Sequence, residues 1–344
     1  MTGASRWNEP CVPVYTTGTS IDTGGQPRES LRTVYGRIDQ DIDRAIELLE
    51  KARETTLAEN NKSHINLYVA LGIKSRACLA EGDWDGAFKA AKRVIDEGGY
   101  AVGTKSDLTG GMNSLDKQNV MWGAGIQVAD QAGGYAGFFT HMDNKEGAYA
   151  KSAPKLISKQ LYNRISATDI RRDWWDPSDK ESPYVSKKFS FANVASFLGD
   201  YIYMRVEEMY FTAAEAALRL DDLKSARELM NTVMAERDPG YSANNRSGTL
   251  LGATTTTWTG SFLENILTHR RIELWGEYGR LFDVRRLGQG IDRRTDDGFS
   301  EECISMMNRR NVNITKADTY DWVLTIPKAE LDANPNINEE DQNP

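Results

Sequence analysis

The sequence predicts a mostly α-helical scaffold of paired helices carrying a large loop-rich insertion, and three observations predict it. Apolar residues recur at three- and four-residue steps in Tyr35–Ala52, Asn66–Ala80, Trp84–Glu97 and Phe262–Tyr278, the period of one helix face. A pair layout repeats: aligning Ala77-x9-Ala87 with Ala216-x9-Ala226 also sets Asp83 on Asp222 and Trp84 on Leu223. Between the two copies the periodicity fades and glycine, proline and aromatic residues take over.

The elements follow in order. Residues 1–34 are rich in Gly, Pro, Thr and Ser and read as an extended lead-in. In residues 35–100, Ile38, Ile42, Ala45, Ile46 and Leu49 mark one helix face, with Asp39, Asp41 and Asp43 mainly off it. Glu81-Gly82-Asp83 then separates two helices. Helix, tight turn, helix over about 34 residues is the tetratricopeptide unit, which places small residues where its helices touch. Residues 101–201 hold Gly133-Gly134-Tyr135-Ala136-Gly137-Phe138-Phe139, Trp174-Trp175, Pro154, Pro177 and Pro183, and only Pro154–Ile165 is helix-like. They predict loops, short strands and a helix or two on one side of the scaffold, the kind of segment where binding sites concentrate. Residues 202–344 bring the second pair, a polar loop over Asp238–Gly260, the helix Phe262–Tyr278 and an irregular tail from Trp322. All four segments read as one domain. The separation of the two pairs predicts that they do not stack consecutively.

Composition narrows the function. The net charge of −8 on 344 residues argues against nucleic acid, which needs a basic face to displace counterions. No apolar run reaches about 18 residues, so no helix spans a bilayer. Cys11, Cys78 and Cys303 are far apart and form no zinc-finger spacing, and their odd number leaves at least one thiol free. Met1–Pro10 lacks the charged and apolar regions of a secretory signal, so the expectation is either a cytosolic protein or a leader that lies upstream of this sequence.

No catalytic residue, metal or cofactor is expected. Arg270 with Glu273, Glu277 with Arg280, and Asp283 with Arg286 lie three apart and suit pairing along one helix. They read as a charged network locking that helix to the second pair. His269 and Glu273 have a metal-compatible i, i+4 spacing, but the other histidines, His64 and His141, are remote and a structural histidine is favoured. G-x-S-x-G, H-E-x-x-H and a phosphate-cradling glycine loop are all lacking.

The rings carry the functional reading. A pyranose has apolar C–H faces and equatorial hydroxyls, so its binding needs flat rings and planar polar groups. Trp174 and Trp175 follow Asp169-Ile170-Arg171-Arg172-Asp173, Tyr135, Phe138 and Phe139 sit on the glycine-rich stretch, and Trp258 follows four threonines. Arg171, Tyr135, Phe138, Phe139, Trp174, Trp175 and Trp258 are therefore the candidate ligand contacts, with at most one of the tandem tryptophans facing outward. Trp84, Trp122 and Trp275 fall in periodic or apolar segments and are assigned to the core.

Four segments together resemble the RagB/SusD family of nutrient-binding outer-membrane lipoproteins. They are Tyr35-Gly36-x-Ile38-x-x-Asp41-Ile42-x-x-Ala45-Ile46-x-Leu48-Leu49; Tyr203-x-Arg205-x-x-Glu208-Met209-Tyr210-x-x-Ala213-Ala214-Glu215-Ala216; Arg270-Arg271-x-Glu273-Leu274-x-x-Glu277-x-x-Arg280-x-Phe282-Asp283-x-x-Arg286; and Ile326-Pro327-x-x-Glu330-x-x-x-Asn334-Pro335, closing at Gln342-Asn343-Pro344. The resemblance covers Tyr35–Pro344, the carboxy-terminal two-thirds or so of a usual member. It implies a tetratricopeptide-like fold, non-catalytic capture of a glycan or other nutrient, and a SusC-like TonB-dependent outer-membrane transporter as partner. It also implies a surface lipoprotein with an amino-terminal helical repeat, a signal peptide and a lipidated cysteine. The front of this sequence matches none of these, and Cys11 does not lie in a lipidation box. The Asp169-x-Arg171 pair resembles a structural position of the family. Two other functions stay open at this point: a tetratricopeptide-type adaptor with an exposed concave groove, and an α-helical glycoside hydrolase with paired carboxylates.

Overall fold

The structure, a computed structural model, describes residues 7–16, 18–20, 22–53, 61–130, 137–144, 148–248, 250, 259–291 and 322–343. The lead-in is more than extended chain: β1 (Pro10–Pro13) and β2 (Arg28–Ser30) pair antiparallel and run straight into α1 (Leu31–Arg53). Ile46 and Leu49, on the predicted face of α1, pack against the main core.

The first helix pair falls within a residue of its predicted bounds. Asn66 caps α2 (Leu67–Glu81), its side chain accepting the Val69 N–H at 2.9 Å. The helix ends at Gly82, whose φ of 85° is the left-handed cap that glycine adopts without steric cost. Asp83 then caps α3 (Trp84–Glu97) by accepting the Gly86 N–H at 3.0 Å.

The insertion contains α4 (Lys105–Thr109), β3 (Val120–Ala124), α5 (Phe138–Met142), α6 (Ala148–Ser152), α7 (Lys159–Tyr162), β4 (Trp175–Asp176), β5 (Val185–Ser186) and β6 (Tyr201–Arg205). It has an aromatic core of its own, with Phe139, Tyr162, Trp174, Trp175, Phe189 and Phe191 buried together. β3 pairs antiparallel with β6, so the chain returns beside the point where it left.

That return corrects one expectation. α8 (Val206–Arg219) packs directly on α3, so the two helix pairs are neighbours and the insertion loops out between them. Ala87, Ala216 and Ala226 are fully buried, which is where the small residues of the repeat let backbones approach. Asp222 caps α9 (Leu223–Ala235) by accepting the Ser225 N–H at 3.0 Å, as Asp83 does for α3.

The predicted helix from Phe262 is shorter than its periodicity suggests. α10 (Phe262–Glu273) stops before Gly276 and Gly279, whose φ values of 75° and 117° turn the chain into α11 (Arg280–Arg286). Because of that turn, Arg270 pairs not with Glu273 but with Asp283, at 3.0 Å, and Glu277 does not pair with Arg280. Asp283 and Arg286 do pair, at 2.7 Å, and Arg286 also reaches Glu215 on α8 at 2.7 Å. The charges thus tie this region to the second helix pair, through mostly different partners. The tail forms α12 (Lys328–Ala333) and closes on the lead-in. Asn334 donates to Gln26 O at 2.9 Å, and Arg28 donates to Asp341 O and Asn343 Oδ1 at 2.9 and 3.0 Å. Among the described residues no helix is long and apolar enough to cross a membrane.

Candidate functional site

The structure moves the candidate site away from most of the rings chosen from sequence. Tyr135 and Trp258 lie outside the described residues. Phe139, Arg171, Trp174 and Trp175 are all buried, none more than 2% exposed, so none offers a face to a solute. The tandem tryptophans meet edge to face inside the insertion core, and Trp174 Nε1 donates to Leu108 O at 2.8 Å. Their polar sequence neighbourhood misleads because two of its charges, Asp169 and Arg171, also turn inward. Arg171 is held by Asp169 at 2.6 Å and by Glu273 at 3.2 Å. Phe138, half-buried, is the one described candidate that lines an open cavity.

That cavity is a cleft of about 530 Å³ between the β3–β6 ribbon and the turn joining α10 to α11, within the ~300–1,000 Å³ usual for small-molecule sites. The ribbon supplies Trp122, Tyr201, Ile202 and Tyr203; the turn supplies Gly276, Glu277 and Tyr278; α2 supplies Arg76 and α5 supplies Phe138. Met112 and Phe189 form its buried part, while Tyr203 is 42% exposed. Trp122 and Tyr203 meet at 5.1 Å with planes 69° apart, and the Arg76 guanidinium lies 3.7 Å from the Tyr278 ring centre. Glycine is required at 276, since a Cβ there would fall 2.6 Å from Phe189 Cε2.

Both charged residues in the lining are already paired. Arg76 makes a two-pronged contact with Glu208 at 2.9 and 2.6 Å and donates to Tyr203 O at 2.8 Å. Glu277 accepts from Arg205 at 2.8 and 2.9 Å and from Lys188 at 2.5 Å. Burial by itself would raise the Glu277 carboxyl, but Arg205 and Lys188 outweigh it and hold it below the usual carboxylate range. The neutral donors are in the opposite state. Among the described residues nothing hydrogen-bonds the hydroxyls of Tyr203 and Tyr278 or the indole N–H of Trp122, and Tyr201 uses its hydroxyl oxygen only to accept the Phe138 N–H at 3.4 Å.

Residues 141–344 match the model of the SusD family. The chain belongs to that family. A SusD-like carbohydrate binding protein from Bacteroides vulgatus superposes with a TM-score of 0.75 at 26% identity, over 96% of this chain and 71% of its own. A putative sugar binding protein from Bacteroides vulgatus is similar at TM-score 0.70 and 24% identity, over 97% and 70%. A surface glycan-binding protein A from Bacteroides uniformis shares the fold at TM-score 0.62 and 17% identity, over 98% and 74%. No curated protein matches the sequence above chance. The tetratricopeptide-like helical fold read from the repeats is the fold of these SusD-family structures.

Beneath the cleft of this SusD-family chain lies a buried ion network. Glu273 faces Arg171 at 3.2 Å, Arg205 at 3.1 Å and Arg237 at 2.9 Å. Burial opposes its ionisation, but Arg237, Arg205 and Arg171 together hold it well below the usual range. His269 Nδ1 lies 2.8 Å from Arg171 Nη2, and burial followed by the Arg171 charge keeps the imidazole neutral and its pKa well below ordinary. Arg171 thus stands between His269 and Glu273, so the i, i+4 spacing serves the network. Arg205 joins the network to the cleft wall, since it bonds both Glu273 and Glu277.

Sequence reasoning missed most of the cleft. Trp122, a core residue by its apolar sequence setting, does pack on the core, but its other side lines the cleft. Trp84 and Trp275 pack against cores as expected. The available signal was Tyr201-Ile202-Tyr203, a short β-prone run with aromatics two apart, next to the family segment that begins at Tyr203.

Proposed function

We propose that the chain captures a nutrient solute, most simply an oligosaccharide, in the cleft between the β3–β6 ribbon and the Gly276–Tyr278 turn, and does no chemistry on it. The observation that carries this reading is the half-open wall of Trp122, Tyr203 and Tyr278 with its unengaged hydroxyl and indole donors. Flat rings cover the C–H face of a sugar while the donors meet its hydroxyls. The ribbon and the helix pairs hold these groups in place before the ligand arrives, which lowers the entropic cost of binding. Similar proteins described as carbohydrate, sugar and glycan binding support the same reading.

Catalysis draws no support from the cleft. Glycoside hydrolysis needs two carboxyl groups about 5–10 Å apart, one of them protonated. Glu277 is the carboxylate in the described lining, and Arg205 and Lys188 keep it ionised. The adaptor reading draws none either, since α8 buries all but Tyr210 and Arg219. The proposal extends to delivery of the solute to a SusC-like TonB-dependent transporter at the outer-membrane surface, a reading that family membership supports.

The test is isothermal titration against a panel of oligosaccharides, with a reducing-sugar assay on each ligand. One oligosaccharide is expected to bind and to be recovered intact. Absence of binding across the panel, or release of new reducing ends, would overturn the reading.

A further inference from the structure

The pairing of charges around the cleft says which class of sugar it takes. We infer that the site selects uncharged oligosaccharides and rejects uronic-acid or sulfated ones; this rests on the oligosaccharide reading above. A carboxylate or sulfate moved from water against the walls of this cleft loses hydration that only a cation can replace. Arg76 is the cation in the described lining, and its charge is already balanced by Glu208. Two of its nitrogens hold the carboxylate of Glu208, one of them also holds Tyr203 O, and its face covers the Tyr278 ring.

Two further described cations behind the cleft wall, Lys188 and Arg205, are committed more fully. Lys188 Nζ is closed to solvent and divides its three donors among Glu273 O, Trp275 O and Glu277 Oε1. Arg205 is spent on Glu207, Glu273 and Glu277. An incoming anion would meet only the Nη1 edge of the Arg76 guanidinium, whose charge Glu208 already balances, or would have to break one of these pairs and leave a buried carboxylate without its partner, which is the costly event in a buried ion pair. Among the described residues, neutral donors are spare on Trp122, Tyr203 and Tyr278, and with their rings they suit the hydroxyls and C–H faces of a neutral sugar. The net charge of −8 adds a longer-range bias against anions at low salt.

The experiment pairs sugars by backbone: galacto- with galacturono-oligosaccharides, manno- with mannurono-, and cello- with cellouronic. Each is titrated into the full chain at two salt concentrations. The neutral member of at least one pair is expected to bind at least tenfold more tightly than its acidic counterpart, with the gap persisting at high salt because it arises from desolvation. Trp122→Ala should remove that binding. Glu208→Gln, which unpairs Arg76 with little change of shape, should narrow the gap by improving the acidic ligand. Equal or tighter binding of the acidic member in the unmodified protein overturns this inference and leaves oligosaccharide capture standing. Failure of every sugar, neutral and acidic, overturns capture itself.

Discussion

Lys188 Nζ lies 2.5 Å from Glu277 Oε1, with the lysine closed to solvent and the carboxylate 9% exposed at the cleft wall. Burial pulls the ammonium pKa down from 10.5 to about 8, with Glu277 resisting the fall. Between those two values the unfolded chain carries a proton that the folded chain has lost, so this group makes folding stability rise with pH across that window. Lys188→Met removes the effect while other titrating groups remain in both proteins. Urea unfolding at pH 7.5 to 10.5 should therefore show the wild type gaining on the variant by up to about 3 kcal/mol. A constant difference would mean that the lysine keeps its proton in the fold.

On the acid side stability again rises with pH, but here because the folded state favours the charged form of each group. Glu273, Glu277, Glu215 and Asp283 all have carboxyls held below their ordinary values, in each case because arginines, with Lys188 also acting on Glu277, outweigh the cost of burial. Their stabilisation is present above the unfolded carboxylate range and is lost as pH falls through the folded values. Glu273→Gln, which leaves Arg171, Arg205 and Arg237 facing one another, should cost about 3–5 kcal/mol at pH 7. It should also flatten the loss of stability below pH 4, both read from denaturant midpoints. A cost under about 1 kcal/mol would show that water or other carboxylates absorb the change.

The scaffold was legible in the sequence because its signals are local. Asn66, Gly82, Asp83 and Asp222 are caps that act within one turn, and the alanine spacing repeats for a packing reason contained in each hairpin. The cleft was not legible, because its lining comes from α2, β3, α5, β6 and the Gly276 turn, brought together only when β6 returns beside β3. Trp174 and Trp175 misled for a related reason. Their charged sequence neighbours suggest a surface, yet Asp169 and Arg171 are buried with their charges satisfied by each other and by Glu273. Gly276 and Gly279 were visible as glycines, but helical periodicity continued past them and hid the turn.

Two ring substitutions separate packing from binding. Trp174→Ala empties a fully enclosed site and should cost about 3–5 kcal/mol, seen as a large fall in thermal midpoint. Tyr203→Ala, at the exposed end of the cleft, should change stability by about 1 kcal/mol or less and weaken the bound oligosaccharide at least tenfold in titration. The reverse pattern, with Tyr203 needed for folding and dispensable for binding, would remove the ribbon from the site.

Gly276 joins the fold to the cleft through its backbone. Its φ of 75° disfavours any side chain, and a Cβ would come within 2.6 Å of Phe189 Cε2 and 2.8 Å of Met142 Cε. Gly276→Ala therefore carries both a conformational and a steric cost, together about 1–3 kcal/mol. Relief by backbone movement would shift Glu277 and Tyr278, the adjoining residues of the lining, and so disturb Arg76 over the Tyr278 ring. The variant is expected to unfold at lower denaturant and also to bind its ligand more weakly, whereas Gly288→Ala, at a similar φ of 62° with open space around it, should show the conformational cost alone. Unchanged affinity in Gly276→Ala, measured where both proteins are fully folded, would mean that the cleft is set by the ribbon and not by this turn.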